Sequence, residues 1–251
     1  MSQFETSLWA DAQFSKDYRD DAEIYLPYRS NFFKVAKSYF EFFVSRKQQP
    51  SVLDLGCGDG RFIQELLRSH KLGKLVLLDG SRQMLESAEK RLPVHAGLNF
   101  VEATFQELLN KDPMPGQKFD FIFSSLAIHH LTMEEKSNVY EYVYNHLSSD
   151  GHFLNYDVVI APTTDLEQWC MSLWRLWIED HPEKDGAAKL LDIPEKYKAN
   201  TDNIPDSLSD QLEALRFVGF EGVDCFFKYG AFALFGGKVK DPGSAFESGI
   251  I

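Results

Sequence analysis

A nine-residue stretch constrains the fold of this chain more than any other part of it. It reads Val-Leu-Asp-Leu-Gly-Cys-Gly-Asp-Gly over 52–60, an apolar run that ends in three glycines at alternate positions. An amphipathic segment follows over 61–67, and this order predicts a strand, a tight loop and a helix. Glycine tolerates left-handed backbone angles and lets a ligand lie directly against the chain. We therefore expect a nucleotide to bind at this loop, beside the helix N-terminus.

Acidic residues around the loop indicate which kind of nucleotide binds. A dinucleotide fingerprint, Gly-x-Gly-x-x-Gly, needs a glycine where this chain has Arg61. Asp54 and Asp59 flank the glycines, and two carboxylates would repel a pyrophosphate. They favour a phosphate-free nucleoside that carries an ammonium, as S-adenosylmethionine does. Asp79 follows the next apolar run, 74–78, and a carboxylate about 20 residues past such glycines can accept both ribose hydroxyls.

Five segments in order resemble the class I (Rossmann-like) S-adenosylmethionine-dependent methyltransferases, and within them the small-molecule type. These segments are Val-Leu-Asp-Leu-Gly-Cys-Gly-Asp-Gly (52–60), Leu-Leu-Asp-Gly-Ser (77–81), Phe-Val-Glu-Ala-Thr-Phe (100–105), Phe-Asp-Phe-Ile-Phe-Ser-Ser-Leu-Ala-Ile-His-His-Leu (119–131) and Leu-Ser-Ser-Asp-Gly-His-Phe-Leu-Asn-Tyr-Asp (147–157). The resemblance implies methyl transfer from S-adenosylmethionine to a small-molecule acceptor. One departure is Thr104, where many relatives carry an acid that binds the adenine amino group. The Thr104 hydroxyl can still accept that hydrogen bond.

The resemblance also implies a set of cofactor-binding residues. They are Asp54, Gly56, Cys57, Gly58, Asp79, Gly80, Met84, Thr104, Phe105, Ser124, Tyr18 and Arg29. In this set Asp54 faces the methionine ammonium, Asp79 holds the ribose, and Arg29 pairs with the methionine carboxylate. Packing in the core is the alternative role for Met84 and Phe105.

Two histidines, three aromatic residues and one arginine are candidates for the acceptor side. His129 and His130 follow the fourth predicted strand, where one of them can act as a base near neutral pH, or can simply pack against the next helix. The candidate substrate residues are Tyr25, Trp169, Trp174 and Arg175. The alternative is that the tryptophans only fix their segment to the body of the protein. No set of His and Cys ligands has metal-binding spacing, so we expect no metal.

Amino-acid composition limits the kinds of partner that this chain is expected to bind. Against 26 Lys and Arg stand 38 Asp and Glu, a formal net charge of -12, which makes nucleic acid an unlikely partner and a small molecule the expected one. No apolar run reaches the length of a membrane span and the N-terminus lacks a signal pattern, so we expect a cytoplasmic protein without a membrane partner. A homodimer is compatible with the sequence.

The alternatives to a small-molecule methyltransferase are a tRNA or protein methyltransferase, an enzyme of carboxy-S-adenosylmethionine on the same fold, and a non-catalytic binding protein.

Strands and helices alternate from 51 to 158, which predicts an α/β fold with a mostly parallel, doubly wound sheet. Two runs, 222–228 and 231–236, predict an antiparallel C-terminal hairpin, and the resemblance implies that it completes a seven-stranded sheet. We expect one domain over 1–240, with a tail at 241–251 that is disordered. Its parts are a helical N-terminal cap (1–48), a cofactor-binding core (50–158), a helical insertion or lid (159–206), and a C-terminal helix and hairpin (207–237). Within these parts, the pattern predicts helix over 4–46 and the fifth strand over 151–158, and the polar stretch with Pro182, Pro194 and Pro205 is expected to be a mobile connector.

Overall fold

A seven-stranded sheet forms the centre of the protein, whose computed structural model describes residues 21–240. The strands are β1 Val52–Leu55, β2 Leu75–Asp79, β3 Leu98–Glu102, β4 Phe119–Ser125, β5 Leu147–Val158, β6 Glu221–Tyr229 and β7 Phe232–Lys238. Their order across the sheet is β3-β2-β1-β4-β5-β7-β6. The first five strands pair in parallel, whereas β7 pairs antiparallel with both β5 and β6. The predicted mostly parallel sheet with a C-terminal hairpin is confirmed.

Helices cover both faces of this sheet. They are α1 Arg29–Phe43, α2 Arg61–Leu67, α3 Arg82–Arg91, α4 Phe105–Asn110, α5 Met133–His146, α6 Thr164–Glu179, α7 Lys184–Ala188, α8 Ile193–Ala199 and α9 Leu208–Val218. Within residues 21–240, no helix combines the length and apolar character that crossing a bilayer requires.

Alternating side chains of the strands divide the core into two layers. Val52 lies in the layer that also holds Phe32 of α1 and Phe62 of α2. Its neighbour Leu53 points to the other face and shares a layer with Tyr140 of α5. Because successive side chains of a strand alternate between faces, Asp54 emerges on the same face as Val52, towards α1 and α2.

The sheet has its topological switch between β1 and β4. The chain leaves β1 towards β2 on one side, and β4 lies on the other side. In open α/β sheets a crevice forms at the carboxyl ends of two such strands, where ligands bind. The glycine loop, which follows β1, and the segment that follows β4 meet in this crevice.

Three segments differ in detail from the sequence-based expectation. The polar stretch after α6, expected as a mobile connector because of its prolines, contains the short helices α7 and α8. Pro194 lies in the first turn of α8, where a missing N–H costs no hydrogen bond. The predicted helix over 4–46 is interrupted at Tyr28, which adopts a φ of 53°. Strand β5 begins at Leu147, four residues before its predicted start at 151.

Candidate active site

The glycine loop is shaped by two close approaches. The N–H groups of Gly56 and Cys57 donate to the carbonyl of Leu78 at 2.8 and 3.0 Å, which ties the loop to the end of β2. Gly56 has a φ of 65°, and a Cβ there would lie 2.3 Å from the Cβ of Ala127 in the segment after β4. Gly58 also has a positive φ, 53°, but a Cβ there would meet nothing within 4 Å. Open space therefore lies against the backbone of Gly58.

This open space belongs to two adjoining cavities. The larger, of about 150 Å³, contacts Gly58, Asp79, Met84 and Thr104. The smaller, of about 40 Å³, lies on the Asp54 side of the loop. The lining of the two cavities brings together most of the predicted cofactor residues, namely Asp54, Gly56, Cys57, Gly58, Asp79, Gly80, Met84, Thr104, Phe105 and Arg29.

The three carboxylates near the loop differ in their partners. Asp59 pairs with Arg91 of α3, with 2.5 Å between Oδ2 and Nη2. Asp54 is 2% exposed, and its Oδ1 has no hydrogen-bond partner among the described residues. Burial raises the pKa of Asp54 well above its ordinary value, and the nearby charges of Asp79 and Asp59 raise it further. A buried carboxylate without a partner is costly, so a cation that reached Asp54 would be stabilised there.

Asp79 is held in place by the backbone. Its Oδ2 accepts from the N–H of Gly58 and its Oδ1 from the N–H of Ser81, both at 2.8 Å. Burial raises the pKa of Asp79 to about 6, against the lowering effect of these two N–H donors. Because an ionised carboxylate can accept about four hydrogen bonds, the fixed oxygens of Asp79 can also accept from two hydroxyl groups.

The smaller cavity contains cations as well as carboxylates. Arg29 and Arg61 both line it, and both pair with Glu23, at 3.2 and 3.1 Å. The guanidinium of Arg29 also lies 5.4 Å from the ring centre of Phe33. A ligand with an ammonium and a carboxylate on one carbon would meet charges of both signs here. The sequence-based prediction missed Arg61, although its place directly after the third glycine was a signal.

Thr104, which is expected to contact adenine, is already hydrogen-bonded within the chain. The Thr104 hydroxyl accepts from the N–H of Glu107 at 3.1 Å and donates to the Glu107 carboxylate at 3.0 Å, in a capping box that begins α4. One lone pair of that oxygen therefore remains for a ligand. Met84 and Phe105 line the larger cavity, so they present apolar surface to a bound base.

The segment after β4 brings His130, and not His129, to the larger cavity. His130 lines it together with Leu126, Leu131 and Asp202. The Nδ1 of His130 lies 3.0 Å from the carbonyl oxygen of Asp202, and a carbonyl only accepts, so Nδ1 carries the proton. Burial and then the neighbouring His129 lower the pKa of His130 to about 3. The ring is therefore neutral near pH 7, with the lone pair on Nε2.

His129 lies behind His130, 5% exposed, and is bound to Asp157. Its Nδ1 is 2.5 Å from Oδ1 of Asp157, and its backbone N–H donates to Oδ2 at 3.0 Å. Burial alone would raise the pKa of Asp157, but His129 and the N–H of Val158 lower it below its ordinary value. The pair fixes the turn that carries His130.

The structure places several other predicted site residues away from the cavities. Ser124 is fully buried and donates to the carbonyl of Leu55 at 2.8 Å. Its neighbour Ser125 lines both cavities instead, because side chains alternate along a strand. Tyr18, the remaining cofactor candidate, lies outside the described residues.

The four candidate substrate residues are also placed elsewhere. Trp174 is 3% exposed and its indole N–H donates to the carbonyl of Tyr25 at 2.5 Å. Trp169 is 55% exposed, and Arg175 forms an ion pair with Glu195. Among the described residues that line the two cavities, none of Tyr25, Trp169, Trp174 and Arg175 occurs. Trp174 therefore fastens α6 to the N-terminal segment.

The chain is similar to a family of methyltransferase domains and to several curated enzymes. Residues 52–151 match the family described as a methyltransferase domain. A carboxy-S-adenosyl-L-methionine synthase from Campylobacter jejuni is 25% identical over 191 residues, which are 74% of this chain and 75% of that protein. A malonyl-[acyl-carrier protein] O-methyltransferase from Ilyobacter polytropus is 30% identical over 105 residues, or 42% of this chain and 37% of that protein.

A solved structure shares the fold over nearly the whole chain. An O-methyltransferase family protein from Burkholderia thailandensis superposes with a TM-score of 0.61 at 16% identity, over 95% of this chain and 63% of that one. This chain thus spans less than two thirds of that protein. Three features of this chain are consistent with a methyltransferase domain: its fold, its glycine loop with the acids Asp54 and Asp79, and its matched segment 52–151. The chain thus has a class I, Rossmann-like fold, and its residues 52–151 match a methyltransferase domain.

Proposed function

We propose that this protein transfers a methyl group from S-adenosylmethionine to a small-molecule acceptor. One observation carries the proposal. Two carboxylates, Asp54 and Asp79, lie in one crevice with the neutral ring of His130, and no cation of the described chain neutralises them.

The residues of the crevice fit the cofactor in three respects. The orphaned Oδ1 of Asp54 would accept from the methionine ammonium, and Arg29 and Arg61 would face its carboxylate. The oxygens of Asp79 would accept from the ribose hydroxyls. The space against Gly58, which a Cβ would fill, would admit the nucleoside. When bound, the cofactor supplies an electrophilic methyl group on a sulfonium.

His130 has the geometry to bind and orient the acceptor. With its proton on Nδ1, its Nε2 can accept a hydrogen bond from an acceptor O–H or N–H. Its pKa of about 3 makes it a weak base. His130 therefore acts mainly by aligning the acceptor atom and takes its proton as positive charge develops there. Leu126 and Leu131 exclude water from the same cavity.

A second candidate is the chemistry of carboxy-S-adenosylmethionine, favoured by the relative that shares 25% identity over 191 residues. A carboxylate on the transferred carbon would need a cation beside it. The described residues that line the larger cavity include Asp79 and Asp202 but neither lysine nor arginine. This balance supports an uncharged methyl group. Likewise, the net charge of -12 supports a small molecule over tRNA.

Two measurements test the proposal. Calorimetric titration with S-adenosylmethionine and S-adenosylhomocysteine tests the cofactor, and a transfer assay with methyl-labelled cofactor against metabolite pools tests the reaction. Asp79→Asn is the variant, and Asp112→Asn is its matched control, because Asp112 likewise accepts from the N–H two residues on, that of Met114, at 2.9 Å. We expect weaker cofactor binding in the first only. Failure of the intact protein to bind either nucleoside would refute the proposed function.

A further inference from the structure

A fully buried lysine lies behind the acceptor side of the crevice. Lys136, on the first turns of α5, has no exposed surface. Lysine is almost never fully buried unless it is paired. Its Nζ donates to the carboxylate of Asp206 and to the carbonyl of Ile204. The mechanism above makes no use of this ammonium.

Both partners of Lys136 belong to one irregular segment, residues 200–206, which we call the strap. The strap joins α8 to α9 and has no regular secondary structure. At its end, the carbonyl of Asp206 accepts from the N–H of Ile160 and from the side chain of Gln211, both at 3.2 Å. Lys136 ties the strap to α5 through its bonds to Ile204 and Asp206.

The strap in turn contacts both histidines of the site. The N–H of Ile204 donates to the carbonyl of His129 at 2.8 Å. The carbonyl of Asp202 accepts from Nδ1 of His130 at 3.0 Å, and Asp202 itself lines the larger cavity. The buried ammonium is therefore linked to the cavity by its hydrogen bonds to the strap, by the backbone of the strap, and by the hydrogen bond between Asp202 and His130.

We propose that Lys136 is a positioning residue, which holds the strap so that the Asp202 carbonyl fixes the ring orientation and tautomer of His130. The hydrogen bond at one ring nitrogen decides which nitrogen carries the proton. If the strap moved away, the His130 ring would lose its acceptor at Nδ1 and exchange between the two tautomers. The contact between His130 and an acceptor molecule rests on the proposed function. The hydrogen bond that fixes the His130 ring does not depend on it.

The charges around His130 agree with this role. The titratable and charged groups that act on its ring are His129, Asp157 and Lys136, together with the hydrogen-bonded carbonyl of Asp202. Burial lowers the pKa of His130 most, and the charges of His129 and Lys136 lower it further, whereas Asp202 and Asp157 raise it. Opening the strap would hydrate the ring, so the pKa would rise towards its ordinary value.

Nitrogen NMR of the histidine rings tests the proposal in the whole protein labelled with ¹⁵N-histidine. The variants are Lys136→Met and Asp206→Asn, and His130→Asn assigns the signal. Lys47→Met is the matched control, because Lys47 also pairs with an aspartate, Asp120, at 2.8 Å, and is not among the residues that line the two cavities. Asp206→Asn keeps the lysine charge, so it separates loss of the strap from loss of charge.

In the unaltered protein and in Lys47→Met we expect His130 to stay neutral, with its proton on Nδ1, from pH 5 to pH 8. In Lys136→Met and Asp206→Asn we expect exchange between tautomers. If Lys136→Met does not fold, Asp206→Asn decides. An unchanged His130 tautomer in a variant with a lowered melting temperature would overturn the proposal and leave Lys136 a purely structural residue.

Calorimetry on the same samples keeps the two proposals apart. A tautomer shift in a protein that binds no S-adenosylmethionine would remove the proposed function and retain the positioning role. Normal cofactor binding with an unchanged tautomer in both variants would overturn the positioning role of Lys136 and leave the proposed function standing. Where both hold, we expect methyl transfer in Asp206→Asn to lose at least tenfold in kcat with little change in the KM of the cofactor.

Discussion

Arg91 and Asp59 form an ion pair across the glycine loop, with 2.5 Å between Nη2 and Oδ2. The two residues lie on different elements, α3 and the loop after β1. Because this pair neutralises one of the three acids around the loop, the charge that a cationic ligand meets comes from Asp54 and Asp79.

Asp54→Asn should weaken the binding of S-adenosylmethionine by about 1–3 kcal/mol, because an amide cannot neutralise the ammonium. Isothermal titration calorimetry measures this change. The same variant should stabilise the ligand-free protein at pH 8. The raised pKa of Asp54 means that the folded state binds its proton more tightly than the unfolded state, so stability falls as pH rises through that pKa. Equal unfolding curves for the two proteins at pH 8, with equal affinity, would contradict this assignment.

Cofactor affinity should increase with pH between 5 and 8. The raised pKa of Asp54, and the pKa of Asp79 of about 6, leave a fraction of these groups protonated at the lower end. A cation selects the ionised form, so binding near pH 6 should release protons. Calorimetry in buffers of different ionisation enthalpy counts them. An affinity that is flat over this range would show that neither carboxylate meets the cation.

Gly58→Ala should cost both stability and binding, whereas Gly116→Ala should cost stability alone. Both glycines have positive φ, 53° and 70°, and at both a Cβ would meet nothing within 4 Å. The left-handed backbone costs an alanine about 1–2 kcal/mol at either position. Only Gly58 lines the cavities. Urea unfolding measures the loss of stability and cofactor titration measures the loss of binding. Equal cofactor affinity in both variants would show that the ligand does not lie against Gly58.

His130→Ala should lower kcat by about 10²-fold or more if the ring aligns and deprotonates the acceptor. Cofactor affinity should change little, because in this proposal the ammonium and the ribose are bound by Asp54 and Asp79, and His130 meets the acceptor. Steady-state kinetics with the acceptor found in the screen measures both quantities. A kcat near that of the unaltered protein would assign the acceptor to another group.

Trp174→Phe should destabilise the protein by about 1–3 kcal/mol without lowering kcat. The substitution removes the indole N–H that donates to the carbonyl of Tyr25, and it replaces a buried indole with a smaller ring. The lost hydrogen bond and the space left in the core together carry that cost. Denaturant unfolding gives the stability and the transfer assay gives kcat. A large loss of kcat at full stability would return Trp174 to the acceptor site.

Local features of the sequence were enough to predict most of the individual strands and helices, because each of these depends on periodicity within a single element. That the hairpin completes a seven-stranded sheet came from the family resemblance. Strands β1 to β4 and helix α5 lie where the apolar pattern and its turn residues indicate. The glycine loop with Asp54 and Asp79 is also a local feature. The sequence-based assignment was wrong by one residue at Ser124. Adjacent side chains at the end of a strand point to opposite faces, and the neighbouring serine is the one that reaches the cavity.

What the sequence alone determined is thus the fold class and the cofactor end of the crevice. The tertiary structure decided which acid is neutralised, which of two adjacent histidines faces the cavity, and where the tryptophans pack. It also brought in Arg61, Asp202 and Lys136. These outcomes depend on distances between groups far apart in the chain, such as the 70 residues that separate Lys136 from Asp206. A local pattern contains no information on such distances, because they are fixed only when the elements pack together.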